Sequence, residues 1–177
     1  MKNHLTKLRI EVLWSYTRNG SFQRARIYKK KNISKTEKVE FRNCIKGYLR
    51  DQIYNEYKDS QISEEEIIKL IDNLIELVNS KFNHILSSNK LKFGNAQKIV
   101  NLFVKSMWIS GWLKKSPPHF PIDRIIQKKI GTKENWTNMD KETYLKIIAK
   151  AKEKIDKNMS LGEWEALAYL EIQKSVI

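Results

Sequence analysis

Apolar side chains recur every three or four residues along almost the whole chain, and no segment alternates apolar and polar residues as a strand does. This spacing predicts an all-α fold, a compact array of about seven to eight helices. The predicted apolar face of the first helix consists of Leu5, Leu8, Val12, Leu13 and Tyr16. We expect that helix to end near Asn19 and Gly20, and residues 21–32 fit either a short helix or an arm.

Helix starts can be placed from capping patterns. Ser63 is followed three residues later by Glu66, and Ser160 by Glu163, which is the spacing of a capping box. Each serine therefore predicts the start of a helix, and the last helix is expected to bury Trp164, Leu167 and Leu170. The other predicted helices run from Ser34 or Thr36 to about Tyr57, from Gly94 to about Gly111, from Ile122 to Ile130 and from about Asp140 onward.

The length and composition fit one helical domain over residues 1–177, with a basic helix and arm at 1–33 and the main body at 34–177. No apolar run approaches the roughly 20 residues of a membrane span. Without a secretory signal pattern, we expect a cytoplasmic monomer with no membrane partner. One cysteine and three scattered histidines predict no metal site and no cofactor.

The net charge of +14 is divided into blocks. Residues 1–50 contain fourteen Lys or Arg against three Glu, and residues 77–133 contain eleven Lys or Arg with one acid, Asp123. Basic blocks on a folded domain are typical of a surface that follows phosphates, because each neutralised phosphate releases counterions. We therefore predict a nucleic-acid partner, with double-stranded DNA as the first choice. A lysine-rich genome would raise the lysine content but would not produce the segregation.

Residues 94–130 contain the candidate chemistry. At 3.6 residues per turn, the helix after Gly94 turns Ile99, Phe103 and Met107 towards the core and presents a second face, which is either solvated or part of a nucleic-acid groove. The candidate nucleic-acid-binding residues are Gly94, Gln97, Asn101, Lys105, Trp108, Lys114, Lys115, His119, Arg124, Arg24, Arg26, Lys29 and Lys30. The candidate stacking rings are Trp108, Trp112, His119, Phe120 and Trp136, each of which also fits the core.

Asp123 stands two residues after the end of the proline-containing segment 117–121, at the expected start of a helix. One interpretation is structural, since aspartate is a favoured helix N-cap. The other is catalytic, because a carboxylate lowers affinity where phosphates bind and its presence there needs a reason. The sequence leaves both open.

Two segments resemble the helix-hairpin-helix DNA glycosylases and lyases. Phe93 to Phe103 is similar to the glycine-containing hairpin and its second helix, and Pro121 to Ile126 is similar to the segment with the catalytic aspartate. The resemblance covers about 35 residues, and Gly94 stands alone where that family has Gly-x-Gly. It implies a hydrolase that flips a modified or damaged base from DNA and cleaves its N-glycosidic bond, with Asp123 stabilising the sugar cation and Lys98 as the lyase amine. Such a site would serve base excision repair or defence against modified foreign DNA.

The alternative is a basic helical nucleic-acid-binding protein without catalysis, such as a regulator or a phage-related inhibitor, in which Asp123 is only a cap. A module that grips acidic proteins also fits the charge. A nuclease has less support, because the sequence lacks an acidic cluster for two metal ions.

Overall fold

The computed structural model describes residues 2–23, 25–30, 32–156 and 158–174. Within those residues every regular element is helical, which confirms the all-α prediction and the number of helices. The α-helices are α1 (Lys2–Phe22), α2 (Lys35–Tyr48), α3 (Asn55–Tyr57), α4 (Glu64–Phe82), α5 (Phe93–Ile109), α6 (Arg124–Ile130), α7 (Lys141–Lys154) and α8 (Leu161–Lys174), with a π-helical turn at Leu49–Tyr54 and a 3₁₀ turn at Asn83–Ile85. None of the described helices combines the length and apolar content that a membrane crossing requires.

Both predicted capping boxes are present. The Ser63 hydroxyl accepts from the Glu66 backbone N–H at 3.2 Å, and the Glu66 carboxylate accepts from the Ser63 backbone N–H at 2.7 Å. Ser160 and Glu163 make the same reciprocal pair at 3.1 and 2.9 Å. Each box satisfies two backbone donors that a helix N-terminus otherwise leaves unpaired, so these starts could be predicted from sequence.

α5 is the central helix of the fold. It packs against α1, α4 and α7 and against the π-helical turn. Residues 93–107 are all buried, including the side that the sequence predicted to be open. The prediction that one face of this helix is solvated or lines an open groove is therefore wrong, because elements that come later in the chain cover its polar side.

The first helix is longer than predicted and packs through a different face. It continues past Gly20 to Phe22, and Gly20 approaches α5 so closely that a Cβ there would lie 2.9 Å from Leu102 Cδ1. Leu8 and Val12 are 60% and 61% exposed, so most of the predicted apolar face is not core. The face towards the core shares only Leu13 with the predicted one and consists of Ile10, Leu13, Trp14, Thr17 and Ser21.

The segment after α1 is an arm. Its backbone bonds to residues 85–87. The Lys29 N–H donates to the Ile85 carbonyl at 2.9 Å, and the Ser87 N–H donates to the Ile27 carbonyl at 2.8 Å. Arg26 has φ of 47°, which interrupts any helix there. At the other end of the chain, α8 buries Leu161 and Ala168 and leaves Leu167 and Leu170 exposed, which corrects the predicted face of the last helix.

Candidate active-site cleft and basic groove

Lys98 and Asp123, 25 residues apart in sequence, meet in the structure. Lys98 lies on α5, Asp123 is the N-cap of α6, and Lys98 Nζ is 3.4 Å from Asp123 Oδ2. The two side chains are 11% and 26% exposed. The pair is therefore largely desolvated and still open to a ligand.

The two carboxylate oxygens of Asp123 have different partners. Oδ1 accepts from the backbone N–H groups of Ile125 and Ile126 at 2.9 and 3.1 Å, so the predicted capping role is confirmed. Oδ2 faces Lys98. The cap fixes the orientation of the carboxylate and leaves one oxygen for an interaction in the cleft.

A cleft of about 390 Å³ surrounds this pair. Trp136 forms part of its wall, with its ring centroid 4.5 Å from Lys98 Nζ. The other walls come from the end of α1, from α5, from the start of α6 and from α8. The residues that define the cleft are Tyr16, Asn19, Gly20, Gln23, Lys98, Leu102, Lys105, Pro121, Asp123, Arg124, Ile125, Trp136, Glu165 and Tyr169.

Gln97 holds the backbone just before Asp123. Its Nε2 donates to the Ile122 carbonyl at 2.9 Å, and its Oε1 accepts from the Ile122 N–H at 3.1 Å. Asn101 donates to Gln97 Oε1 at 3.2 Å. Gln97 and Asn101 are fully buried, so their expected position in an open groove is wrong. Gln97 therefore satisfies both backbone groups of Ile122, and Asn101 supports Gln97, so the two amides position the segment that contains Asp123.

The buried polar network continues to His119. Asn101 Nδ2 donates to the Tyr144 hydroxyl at 3.0 Å, and that hydroxyl lies 3.0 Å from His119 Nδ1. Glu64 Oε2 is 3.7 Å from His119 Nε2, beyond hydrogen-bond distance, and Glu64 pairs with Lys152 at 2.6 Å. Burial lowers the pKa of His119 to about 4, against the opposing charge of Glu64. His119 is thus a neutral interior residue and not the predicted surface contact.

This burial predicts a pH dependence of stability. The unfolded chain protonates His119 near its ordinary pKa of 6.5, whereas the folded chain resists protonation down to about 4. The unfolded state therefore binds more protons in this window, and stability falls as the pH decreases. We expect urea unfolding to show a His119 contribution of about 2 to 3 kcal/mol lost between pH 7.5 and 4.5.

The matched variants are His119→Gln and His4→Gln, since His4 is exposed. His119→Gln should flatten the pH dependence by that amount, and His4→Gln should keep the wild-type curve. An identical pH dependence in all three proteins would show that His119 is not held neutral by the fold.

A second ion pair lines the cleft. Lys105 Nζ lies 2.5 Å from Glu165 Oε2, and both side chains are almost inaccessible. Burial raises the pKa of Glu165. The positive charge of Lys105 opposes this shift, and the negative charge of Asp123 adds to it. Lys105 was predicted on the groove side of α5, and the structure places it at the cleft, paired with a residue that the sequence did not single out.

A larger cavity, of about 820 Å³, lies on the other side of the loop 135–138. Among the described residues that line it there is no carboxylate, and the five cations are Arg26, Lys29, Lys30, Lys90 and Lys92. We call this cavity the basic groove. The loop joins the two features, because Trp136 lines the cleft while Asn135, Thr137 and Asn138 line the groove.

The groove combines residues that sequence analysis found with residues that it missed. Arg26, Lys29 and Lys30 were candidates, whereas Lys90 and Lys92 were not, since nothing in the sequence indicates that the arm contacts residues 85–87. Arg24 lies outside the described residues. Asn95 is buried at the groove wall, and its Oδ1 has no hydrogen-bond partner there. Among the described residues, those that line the groove include no carboxylate beside a lysine, in contrast to the Lys98 and Asp123 pair of the smaller cleft.

The remaining candidates are dispersed. Gly94 is buried in the first turn of α5, and its N–H donates a hydrogen bond to the Met139 carbonyl. Lys114 and Lys115 are exposed and line neither cavity, and Trp108 packs against the core. Arg124 lines the cleft and is exposed, and of the five candidate stacking rings only Trp136 lines the cleft.

In the described part of the chain, His, Cys, Asp and Glu side chains do not gather in groups of three or more that could hold a metal ion. Comparison with protein-family models, with curated proteins and with solved structures finds no match to this chain.

Proposed function

We propose that the protein is a DNA glycosylase. The observation that carries this proposal is the pair of Lys98 and Asp123, 3.4 Å apart in a cleft beside a groove whose described lining residues are basic or uncharged. A carboxylate and an amine in contact, reached from a phosphate-binding surface, suit cleavage of a bond that leaves positive charge on a sugar.

In the reaction the bond between C1′ and the base nitrogen breaks, and its electron pair leaves with the base. Positive charge develops on the sugar, and Asp123 Oδ2 stabilises it. In the hydrolytic route, water bonds to C1′, its proton passes to Asp123, and the base nitrogen takes up a proton. In the lyase route, Asp123 accepts a proton from Lys98, and the free amine bonds to C1′ in place of water. The nitrogen then loses a proton, the C1′–O4′ bond breaks with O4′ taking up a proton, and a protonated Schiff base between Lys98 and C1′ remains.

The surroundings support a substrate that is extruded from a duplex. The base must leave the stack, and an aromatic ring such as Trp136 can receive it. Phosphates on either side of that nucleotide would bind the basic groove. Only the short loop 135–138 lies between the groove and the cleft. The charge of the groove and the chemistry of the cleft then act on neighbouring parts of one strand.

The test is to incubate the protein with duplexes that contain modified or damaged bases and to measure abasic sites with and without hot alkali. We expect abasic product from at least one duplex. A covalent adduct trapped by borohydride, and lost in Lys98→Ala, would select the lyase route. The absence of abasic product from every duplex would reject the proposal.

The second candidate is a nucleic-acid-binding protein without catalysis, which the basic groove favours because it needs no reacting group. Both candidates predict binding driven by phosphates. We expect Lys29→Gln and Lys90→Gln each to weaken DNA binding and to reduce the slope of log affinity against log salt by about 1.

The matched control for this binding measurement is Lys146→Gln, a lysine on α7 that pairs with Glu142 and lies outside the groove. It should leave the affinity and the slope unchanged. Equal slopes in all four proteins would show that the groove does not bind phosphates. Normal binding without any excision would favour the second candidate.

A further inference from the structure

A buried ion pair at the wall of a ligand-sized cleft needs an explanation. Lys105 and Glu165 have side chains that are 7% and 5% exposed. Desolvating two charges is costly, and well-packed apolar residues in their place often give equal or greater stability. A requirement for stability alone therefore does not account for the pair, and its position at the cleft points to a polar ligand.

The pair has hydrogen-bonding capacity left. The Lys105 ammonium has three N–H groups, and its bond to Glu165 Oε2 uses one. Two N–H groups of Lys105 and the second carboxylate oxygen, Oε1 of Glu165, remain for a bound group. That group must accept a hydrogen bond at one atom and donate one at an adjacent atom.

The distance along α5 matches a nucleoside. Lys98 and Lys105 are seven residues apart, which places them on one face of the helix about 10.5 Å apart along its axis. The distance from C1′ to the far edge of a base is similar, once one contact distance to Lys98 and one to Lys105 are added. Aromatic rings flank the space, since Trp136 lies over Lys98 and the Tyr169 ring centroid is 5.1 Å from Lys105 Nζ.

We propose that Lys105 and Glu165 read the edge of the extruded base and select bases with a lactam edge, a ring N–H beside a carbonyl. The carbonyl accepts from Lys105, and the ring N–H donates to Glu165. Both bonds are charge-assisted, and both are stronger for a lactam than for an amino group beside a ring nitrogen, because the lactam N–H is more acidic and its oxygen more electron-rich. The substrate class is oxo-bases of the hypoxanthine, guanine and uracil type. This inference rests on the proposed glycosylase function.

The test compares single-turnover excision by the wild-type protein from matched duplexes. Hypoxanthine and uracil have the lactam N–H, 1-methylhypoxanthine and 3-methyluracil have it blocked, and 3-methyladenine and 5-methylcytosine have an amino edge. We expect excision of a lactam base and a rate at least about 100-fold lower for its methylated counterpart, since a buried polar group is then left unpaired. These arms need no variant and so do not depend on a substitution that folds.

The variants are Glu165→Gln and the control Glu163→Gln, an exposed residue of the same helix whose capping box tolerates glutamine. We expect Glu165→Gln to lower lactam excision at least about 10-fold and Glu163→Gln to leave it unchanged. Excision confined to amino-edge bases, or equal rates for blocked and unblocked lactams, would overturn the inference and leave the glycosylase standing. Absence of excision from every duplex would overturn both.

Discussion

Asparagine in place of Asp123 is expected to lower the rate of base excision by about 10²- to 10³-fold, because the sugar cation loses its stabilising charge. The helix cap should survive the change. Asparagine caps helices as well as aspartate does, so the bonds from the N–H groups of Ile125 and Ile126 can be retained. Because Lys98 is buried and loses its counter-charge, the free energy of unfolding should fall by about 1 to 3 kcal/mol.

The fold offers a matched control at another helix start. Asp140 is the N-cap of α7, where its Oδ1 accepts from the Thr143 N–H at 2.8 Å, and it is exposed and outside the cleft. Asp140→Asn should keep the wild-type excision rate. Single-turnover rates and urea unfolding of both variants separate the two roles of Asp123. Full activity in Asp123→Asn would reduce it to a structural cap and remove the main support for catalysis.

The helices could be predicted from sequence because their signals are local. Ser34, Ser63 and Ser160 each satisfy backbone donors within three residues, so the helix starts are encoded where they occur. Lys98 and Asp123 were singled out differently, from the resemblance to the helix-hairpin-helix glycosylases, and the sequence did not predict that they pair. The resemblance to a glycosylase remains a prediction, but the two residues that it selected do meet.

Burial could not be predicted in the same way. Asn101 is polar and lies on the side of α5 opposite the apolar residues, which is the position of a solvent-facing residue. It is interior because Tyr144 on α7 packs over it and accepts its hydrogen bond. Conversely, Leu8 and Val12 fit a core face, but α1 packs through a different face that includes Trp14 and Thr17. Which of two possible faces a helix buries depends on its partners, and these are set by the whole chain.

The basic groove shows the same limit for charge. Lys29 and Lys90 are 61 positions apart, and no spacing rule relates them. They line one cavity because the arm bonds to residues 85–87. The nucleic-acid partner inferred from the charge blocks therefore stays a prediction, whereas the groove that brings these lysines together emerged only from the fold.

Alanine in place of Gly94 is expected to be the most destabilising single-methyl change in the fold. A Cβ on Gly94 would lie 1.7 Å from the carbonyl oxygen of Trp136, and backbone cannot move aside as a flexible side chain can. We expect a loss of about 3 kcal/mol or more in the free energy of unfolding, measured by urea titration. A displaced Trp136 backbone would also move the ring beside Lys98, so excision should fall in the folded fraction.

The control is Gly47→Ala in α2, where a Cβ would meet nothing within 4 Å. That change should raise the stability by about 0.5 to 1 kcal/mol, since alanine loses less conformational freedom in a helix. If Gly94→Ala unfolds at the same urea concentration as the wild type, the loop 135–138 does not pack against α5 as described. The prediction also separates two reasons for a glycine at this position. The Gly94 N–H already donates to the Met139 carbonyl at 2.9 Å, so it is not free to bind a phosphate. The close approach of the Trp136 backbone is therefore sufficient to account for the glycine.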